Sequence, residues 1–235
     1  MTLIFIFFAT LRVWPQPDAA GLKGAWELKG LGDPGEVATL IVTDHYLTVA
    51  VYNEKTSAFI RTYGGIYRYS TGKCSLTIEF NSSDTSEIGK QIDFKTEVNE
   101  TSLTLENRVK TTWKKIDDSP VSAPLAGCWR ITSRIGSDGK MTPMSGGPRK
   151  TLKINSGTRF QWVAINPVTK QFFGTGGGTY TLRDGIYTEH IGFFSRDNSR
   201  VGSQLEFNAE VQDSKWIHQG KSSTGNPVHE IWEKQ

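Results

Sequence analysis

The amino-acid sequence predicts an all-β protein in which one small antiparallel domain, a barrel or a sandwich, occurs twice in tandem. Three observations lead there. Residues 64–98 recur as residues 177–211 at a constant offset of 113, without a gap and with 14 of 35 positions identical. Each copy is made of short runs in which apolar and polar residues alternate, broken by turn formers, which is the period of half-buried strands. Between the copies, residues 117–124 read DDSPVSAP, a polar stretch with two prolines and no periodicity, as a linker should.

A repeat of 113 residues is far longer than the ~20–50 residues of solenoid units. Each copy is long enough to bury its own core. The expected domains are therefore residues 21–117 and 125–235, joined by a linker over 118–124. Apolar residues make up 37% and charged ones 22%, as in globular proteins. The net charge is only +3, from 27 basic and 24 acidic residues, with no Lys/Arg stripe, so a nucleic-acid partner is not expected. Cys74 and Cys128 sit at non-equivalent places, one per half, and neither belongs to a CxxC pair. Buried free thiols are expected rather than an interdomain disulfide.

The N-terminal run LIFIFFA, residues 3–9, has the length of a signal-peptide core and is too short to span a bilayer. Pro15 and Pro17 break any helix after it, and Asp18-Ala19-Ala20-Gly21 offers small residues for cleavage. A basic segment before the run is missing, and no Cys follows for a lipid anchor. Residues 1–20 are expected to be a signal peptide or a disordered N-terminus, the alternative being a strand or tail packed on the fold. The protein is expected to be secreted or periplasmic, with no transmembrane span.

Taken in order, the first copy opens with Leu22-Lys23-Gly24-Ala25-Trp26 and the second with Leu125-Ala126-Gly127-Cys128-Trp129. Alternating runs follow in the first copy at 37–43, 46–52, 59–63, 66–69, 74–80, 91–98, 103–105 and 109–113, with turn formers such as Asn53-Glu54-Lys55 and Ser70-Thr71-Gly72 between several of them. Successive strand side chains point to opposite faces. Cys74, Leu76, Ile78 and Phe80 should therefore face the interior, with Ile92, Phe94, Thr96 and Val98 beside them. The copies close alike, on Trp113-Lys114-Lys115 and on Glu230-Ile231-Trp232-Glu233-Lys234.

The Gly-x-Trp opening, the run of about eight strands and the closing Glu-x-Trp-x-basic pattern together resemble the calycin superfamily, and most closely the small bacterial lipocalin-like domains. The resemblance covers both copies and implies two tandem lipocalin-like antiparallel β-barrels. It also implies that Trp26 and Trp129 plug the closed ends, with a basic residue of the last strand, Lys115 or Lys234, against each ring. The family usually has Arg at that place, and the first copy lacks the closing Glu.

Comparing the copies points to a site. Inward Cys74, Leu76, Ile78 and Phe80 correspond to Tyr187, Glu189, Ile191 and Phe193, and Thr111 corresponds to Glu230. His218 shares a face with Trp216. A lone carboxylate in an apolar interior does not stay ionised without a partner. Glu189 and Glu230 should therefore reach an open cavity, or pair with His218, Tyr180 or Tyr187. Apolar cavities with a few placed polar groups are what small-molecule sites look like. The alternatives are a structural hydrogen-bond network or a register in which Glu189 turns outward.

Other features point to turns or to no chemistry. His190 and His229 should face away from Glu189 and Glu230, so no metal site is expected. Ser82-x-Asp84-x-Ser86 and Ser195-x-Asp197-x-Ser199 fit hairpin turns. The glycines at 174 and 176–178 fit a bent strand rather than a phosphate loop. Residues 141–148 are an insertion of the second copy, placed either at the barrel mouth or on neutral surface.

The expected function is binding, without catalysis or cofactor, of a small hydrophobic or amphipathic molecule in a barrel cavity, chiefly that of the second barrel. Glu189, Glu230 and His218 would be its polar contacts, and Tyr180, Tyr187, Trp162, Phe160, Phe193, Phe207 and Trp216 its walls. One alternative is a structural or protein-interaction module of the cell envelope, with filled barrels and an envelope protein as partner. Another is an enzyme using Glu189 and His218 as an acid–base pair.

Overall fold

The computed structural model describes residues 21–117, 123–136, 138–144 and 146–235. The expected signal segment and the core of the linker lie outside these residues. Eight strands form the first half: β1 (Gly24–Lys29), β2 (Glu36–Val42), β3 (Tyr46–Asn53), β4 (Phe59–Ser70), β5 (Lys73–Asn81), β6 (Gln91–Val98), β7 (Ser102–Glu106) and β8 (Lys110–Lys115). Each pairs antiparallel with the next, and β8 returns to β1 through Trp26 opposite Lys115. The sheet is thus a closed up-and-down barrel, which leaves no exposed edge.

The second half repeats this with β9 (Gly127–Ile135), β11 (Lys150–Asn155), β12 (Arg159–Asn166), β13 (Gln171–Arg183), β14 (Ile186–Phe194), β15 (Gln204–Gln212), β16 (Lys215–Lys221) and β17 (Pro227–Lys234). It closes where β17 meets β9. The insertion adds β10 (Met141–Pro143), a short strand beside the far end of β9. An eight-stranded barrel is just wide enough for its own side chains to fill.

Alternation assigns most faces correctly. Cys74, Leu76 and Ile78 lie in the core of the first barrel. The expected break between residues 59–63 and 66–69 is absent, because Gly64 and Gly65 carry β4 through a β-bulge. Gly65 stands opposite Ile78 and Gly64 opposite Phe80, so Glu79 is the extra residue. A Cβ on Gly65 would sit 2.0 Å from the Thr77 carbonyl oxygen, so only glycine fits. The second barrel does the same with Gly178 opposite Ile191 and Gly177 opposite Phe193.

The bulge flips the alternation. Phe80 and Phe193, both expected inside, turn to the outer surface, and both pack between the barrels. Ile41, Ile154, Val163, Ile165 and Cys128 share that contact with Phe80. Phe193 stacks on Tyr52 of the first barrel with ring centroids 5.0 Å apart. At the centre the Thr48 hydroxyl donates to Gln161 Oε1 at 2.8 Å, and Gln161 Nε2 donates to Thr62 at 2.8 Å and to Thr175 at 3.0 Å. Thr48 and Gln161 are 113 residues apart, as are Thr62 and Thr175, so equivalent positions meet each other. The two barrels therefore meet through the same face, as in an isologous dimer.

Polar contacts flank this face. Lys150 Nζ is 2.8 Å from both Glu79 carboxylate oxygens, and Asp117 accepts from the Gly157 amide at 2.9 Å and the Thr158 hydroxyl at 2.6 Å. Both cysteines are free and buried, and burial pushes each thiol up to about 12.

Candidate functional site

The second barrel is plugged at one end by Trp129. Its indole donates to the Leu125 carbonyl at 2.9 Å, and the Lys234 ammonium stands 5.6 Å from its ring centre. Gly127 has φ 137°, and a Cβ there would lie 2.6 Å from Lys234 Cε, which is why glycine precedes the tryptophan by two. Trp26, Leu22 and Lys115 repeat the arrangement in the first barrel at 2.9 and 5.4 Å. Lysine thus serves here by placing a point charge over the ring, where arginine would stack its plane.

Above the plug lies a layer of four charged or titratable side chains. Lys153 on β11 donates to Glu189 Oε1 on β14 at 2.7 Å, and each residue is only 4% exposed. His218 on β16 faces Glu230 on β17, with Nδ1 3.5 Å from Oε2. Arg134 Nε reaches Glu230 Oε1 at 3.3 Å from β9. At the offset of 113, Lys153, Glu189 and His218 correspond to Leu40, Leu76 and Leu105, and the matching strand register pairs Glu230 with Thr111. One layer of the duplicated barrel has thus been rewritten from apolar to charged.

The Lys153 ammonium is held in a cage of rings. Its nitrogen lies 4.9 Å from the centre of Trp216, 5.1 Å from Tyr187, 5.3 Å from Trp232 and 5.9 Å from Phe160. These ring faces and Glu189 together replace the water the cation has lost. Burial pushes the His218 imidazole below its usual range, and the nearby Lys153 charge pushes it the same way, so it is neutral at pH 7. Burial works to raise the Glu230 carboxyl, but His218, Lys153 and Arg134 outweigh it and hold the group below the usual range.

Of the residues expected to line a site, Glu189, Glu230, His218, Tyr187, Phe207 and Trp216 converge in this barrel interior. Tyr180 is there too, but its hydroxyl is spent on the Ser156 carbonyl at 2.7 Å. Trp162 lies higher, edge-on to Phe194 at 5.6 Å. Phe193 does not take part, because the bulge turns it to the other barrel. Sequence comparison missed Lys153 and Arg134. The first was within reach, since extending the same offset two strands upstream, from β4 to β2, puts Lys153 on Leu40. The second was not, because a bulge between β9 and β17 is what brings Arg134 opposite Glu230.

Two further features mark the interior. Among the described residues, the buried Tyr187 hydroxyl, the Trp216 and Trp232 indole nitrogens and His218 Nε2 have no hydrogen-bond partner. Toward the mouth, Trp162, Phe194, Leu205 and Val228 pack on the core yet are only half-buried. Leu205 stands directly opposite Glu189 in the sheet, on its inner face. An inward side chain is half-exposed only where the barrel opens to solvent.

The first barrel contrasts with this. Its interior holds an apolar cavity of about 20 Å³ among Leu40, Leu76, Leu103 and Leu105, room for about one water. A groove of about 740 Å³ passes its mouth between Tyr63, Phe94 and Val109. His190 is exposed and points away from the charged layer. Among the described residues no group of three or more His, Cys, Asp or Glu is placed to hold a metal ion, and no helix is long and apolar enough to cross a membrane.

Residues 124–235 match a family described as a domain of unknown function, DUF4488. No curated protein matches the chain in sequence. Among solved structures the chain is similar to a lipocalin-like protein from Bacteroides uniformis, with 15% identity over 48% of this chain and 100% of that one, and a TM-score of 0.35. The chain's own topology is eight antiparallel strands closed up-and-down and then repeated, which fits the tandem arrangement expected from the duplication.

Proposed function

We propose that the protein binds a small amphipathic molecule at the mouth of the second barrel, and that it does so as an exported protein. One observation carries this reading: a half-exposed inward collar of Trp162, Phe194, Leu205 and Val228 stands over a buried interior that holds unpartnered polar groups. Apolar walls would take the hydrophobic part of the molecule. The charged layer would set its orientation, as a few placed polar groups do in small-molecule sites.

A second reading, a structural or interaction module with filled barrels, is favoured by the closed half of the interior. Trp129, Tyr187, Phe160 and Trp216 are fully buried there and leave the layer to support them. An acid–base role for Glu189 with His218 is less well supported, since Glu189 is engaged by Lys153 and His218 faces Glu230.

Titration with the uncharged probe N-phenyl-1-naphthylamine, followed by its fluorescence, separates the two. Binding at the collar gives a saturable signal that Trp162→Ala weakens by about tenfold or more, and native mass spectrometry of the purified protein then shows a co-purified small molecule. A flat titration with only the bare mass favours filled barrels.

A further inference from the structure

The wall of the second barrel is split on one side. β11 pairs with β9 only as far as Leu152 opposite Arg130, while from Ser133 to Ile135 the partner of β9 is β10. Between these two partners lies a pocket of about 280 Å³, lined by Arg130, Arg134, Arg149 and Lys150, with Ile131 and Met144 beside them. Four cations thus converge on one small concavity in a chain whose net charge is only +3.

Two of the four are matched. Lys150 is bound to Glu79 at 2.8 Å and Arg134 to Glu230 at 3.3 Å. The other two are not. Arg130 donates to the Gly147 carbonyl at 2.9 Å, and Arg149 lies 4.4 Å over the Phe173 ring. Glu233 is opposite Arg130 in the sheet, but its carboxylate pairs with Lys215. Among the described residues neither Arg130 nor Arg149 has a carboxylate within 4 Å. A carbonyl and a ring face fix the directions of the two guanidiniums without neutralising them. Crowded cations repel one another, and an anion placed among them removes that cost. Arginine forks bind oxyanions through two parallel hydrogen bonds.

We propose that this seam is an oxyanion-binding site for a phosphate or carboxylate group, with Arg130 and Arg149 as its direct donors and Lys150 and Arg134 as flanking charge. It is distinct from the collar site and does not depend on it. The pocket also touches Ile131, whose side chain belongs to the barrel core. An oxyanion at the seam can therefore be free, or the head of a molecule whose apolar part enters the barrel.

The full-length protein is titrated by calorimetry with inorganic phosphate and with dodecyl phosphate, at constant ionic strength. The site predicts saturable binding of at least one of them, weakened about tenfold or more by Arg149→Gln. Arg149 is exposed, so this variant keeps the fold, which circular dichroism checks. Lys55→Gln, in a turn of the first barrel, leaves the binding as it was. Tighter binding of dodecyl phosphate marks the anion as a head group, and equal binding marks it as free; both support the site. No saturable binding of either anion, or binding that a folded Arg149→Gln variant retains in full, overturns it. Loss of the N-phenyl-1-naphthylamine signal alone touches only the collar.

Discussion

Lys153 and Glu189 stand 2.7 Å apart inside the second barrel, where the first barrel places Leu40 and Leu76. The chain thus contains its own reference for what the pair replaces. A buried ion pair is costly to break from one side and often cheap to remove whole. Glu189→Leu alone leaves an ammonium without its counter-ion, and Lys153→Leu alone leaves a bare carboxylate. Each is expected to lose about 3–5 kcal/mol. The double variant, which restores the leucine pair of the first barrel at these two positions, is expected to return close to wild type. Urea unfolding of the four proteins gives the coupling, and simple additivity would contradict it.

Acid should weaken the fold through His218. Its folded pKa lies below the ordinary value of about 6.5, because burial and Lys153 disfavour the charged ring. As the pH falls below about 6.5 the unfolded chain takes up this proton first, so stability declines, by up to about 1.4 kcal/mol per pH unit. Glu230 acts with the same sign in a lower window. Its folded pKa is depressed, so its contribution is present above the ordinary carboxyl range and is lost as the pH falls through the folded value. His218→Leu, copying Leu105, should flatten the upper part of the curve. Urea midpoints at pH 8, 6.5 and 5 measure the slope.

The bulge glycines should be intolerant. A Cβ on Gly65 or on Gly178 would lie 2.0 Å from a backbone carbonyl oxygen of the neighbouring strand. Gly65→Ala and Gly178→Ala are expected to cost about 2–4 kcal/mol each. At Gly146, where no atom of the described residues lies within 4 Å of a Cβ, the same change should be nearly silent. Thermal unfolding of the three variants is sufficient.

Gln161 ties three threonines from two barrels. Gln161→Leu fits the apolar surroundings but leaves the buried Thr48 hydroxyl without its acceptor, at a cost of about 1–3 kcal/mol. Because the bond crosses between barrels, the loss should show as two separated unfolding transitions in calorimetry. A single transition at the wild-type temperature would show that Gln161 does not couple them.

Much of the fold was legible from the duplication and from period-2 alternation. The barrels follow from strands such as β5 and β14, whose buried and exposed residues alternate along most of their length. What alternation misplaced lies at the bulges. One inserted residue reverses which side a strand presents, and nothing in the local pattern of residues 74–80 announces it. That is why Phe80 and Phe193 were expected inside and lie between the barrels. The charged layer was half legible: Glu189, Glu230 and His218 stood out against their first-copy equivalents. Their electrostatic partner Lys153 sat on a strand where the copies share less sequence, and Arg134 depended on a second bulge.

The contact between the halves, where Gln161 meets Thr48, is built from one surface used twice. A face that mates with its own copy is consumed by a single pairing, and covalent tandem linkage supplies that mate in the same molecule. Duplication thereby makes the pairing intramolecular, so it does not depend on protein concentration. It has also freed one half from having to match its sibling inside, where the two could diverge in chemistry while their shared outer seam stayed constrained.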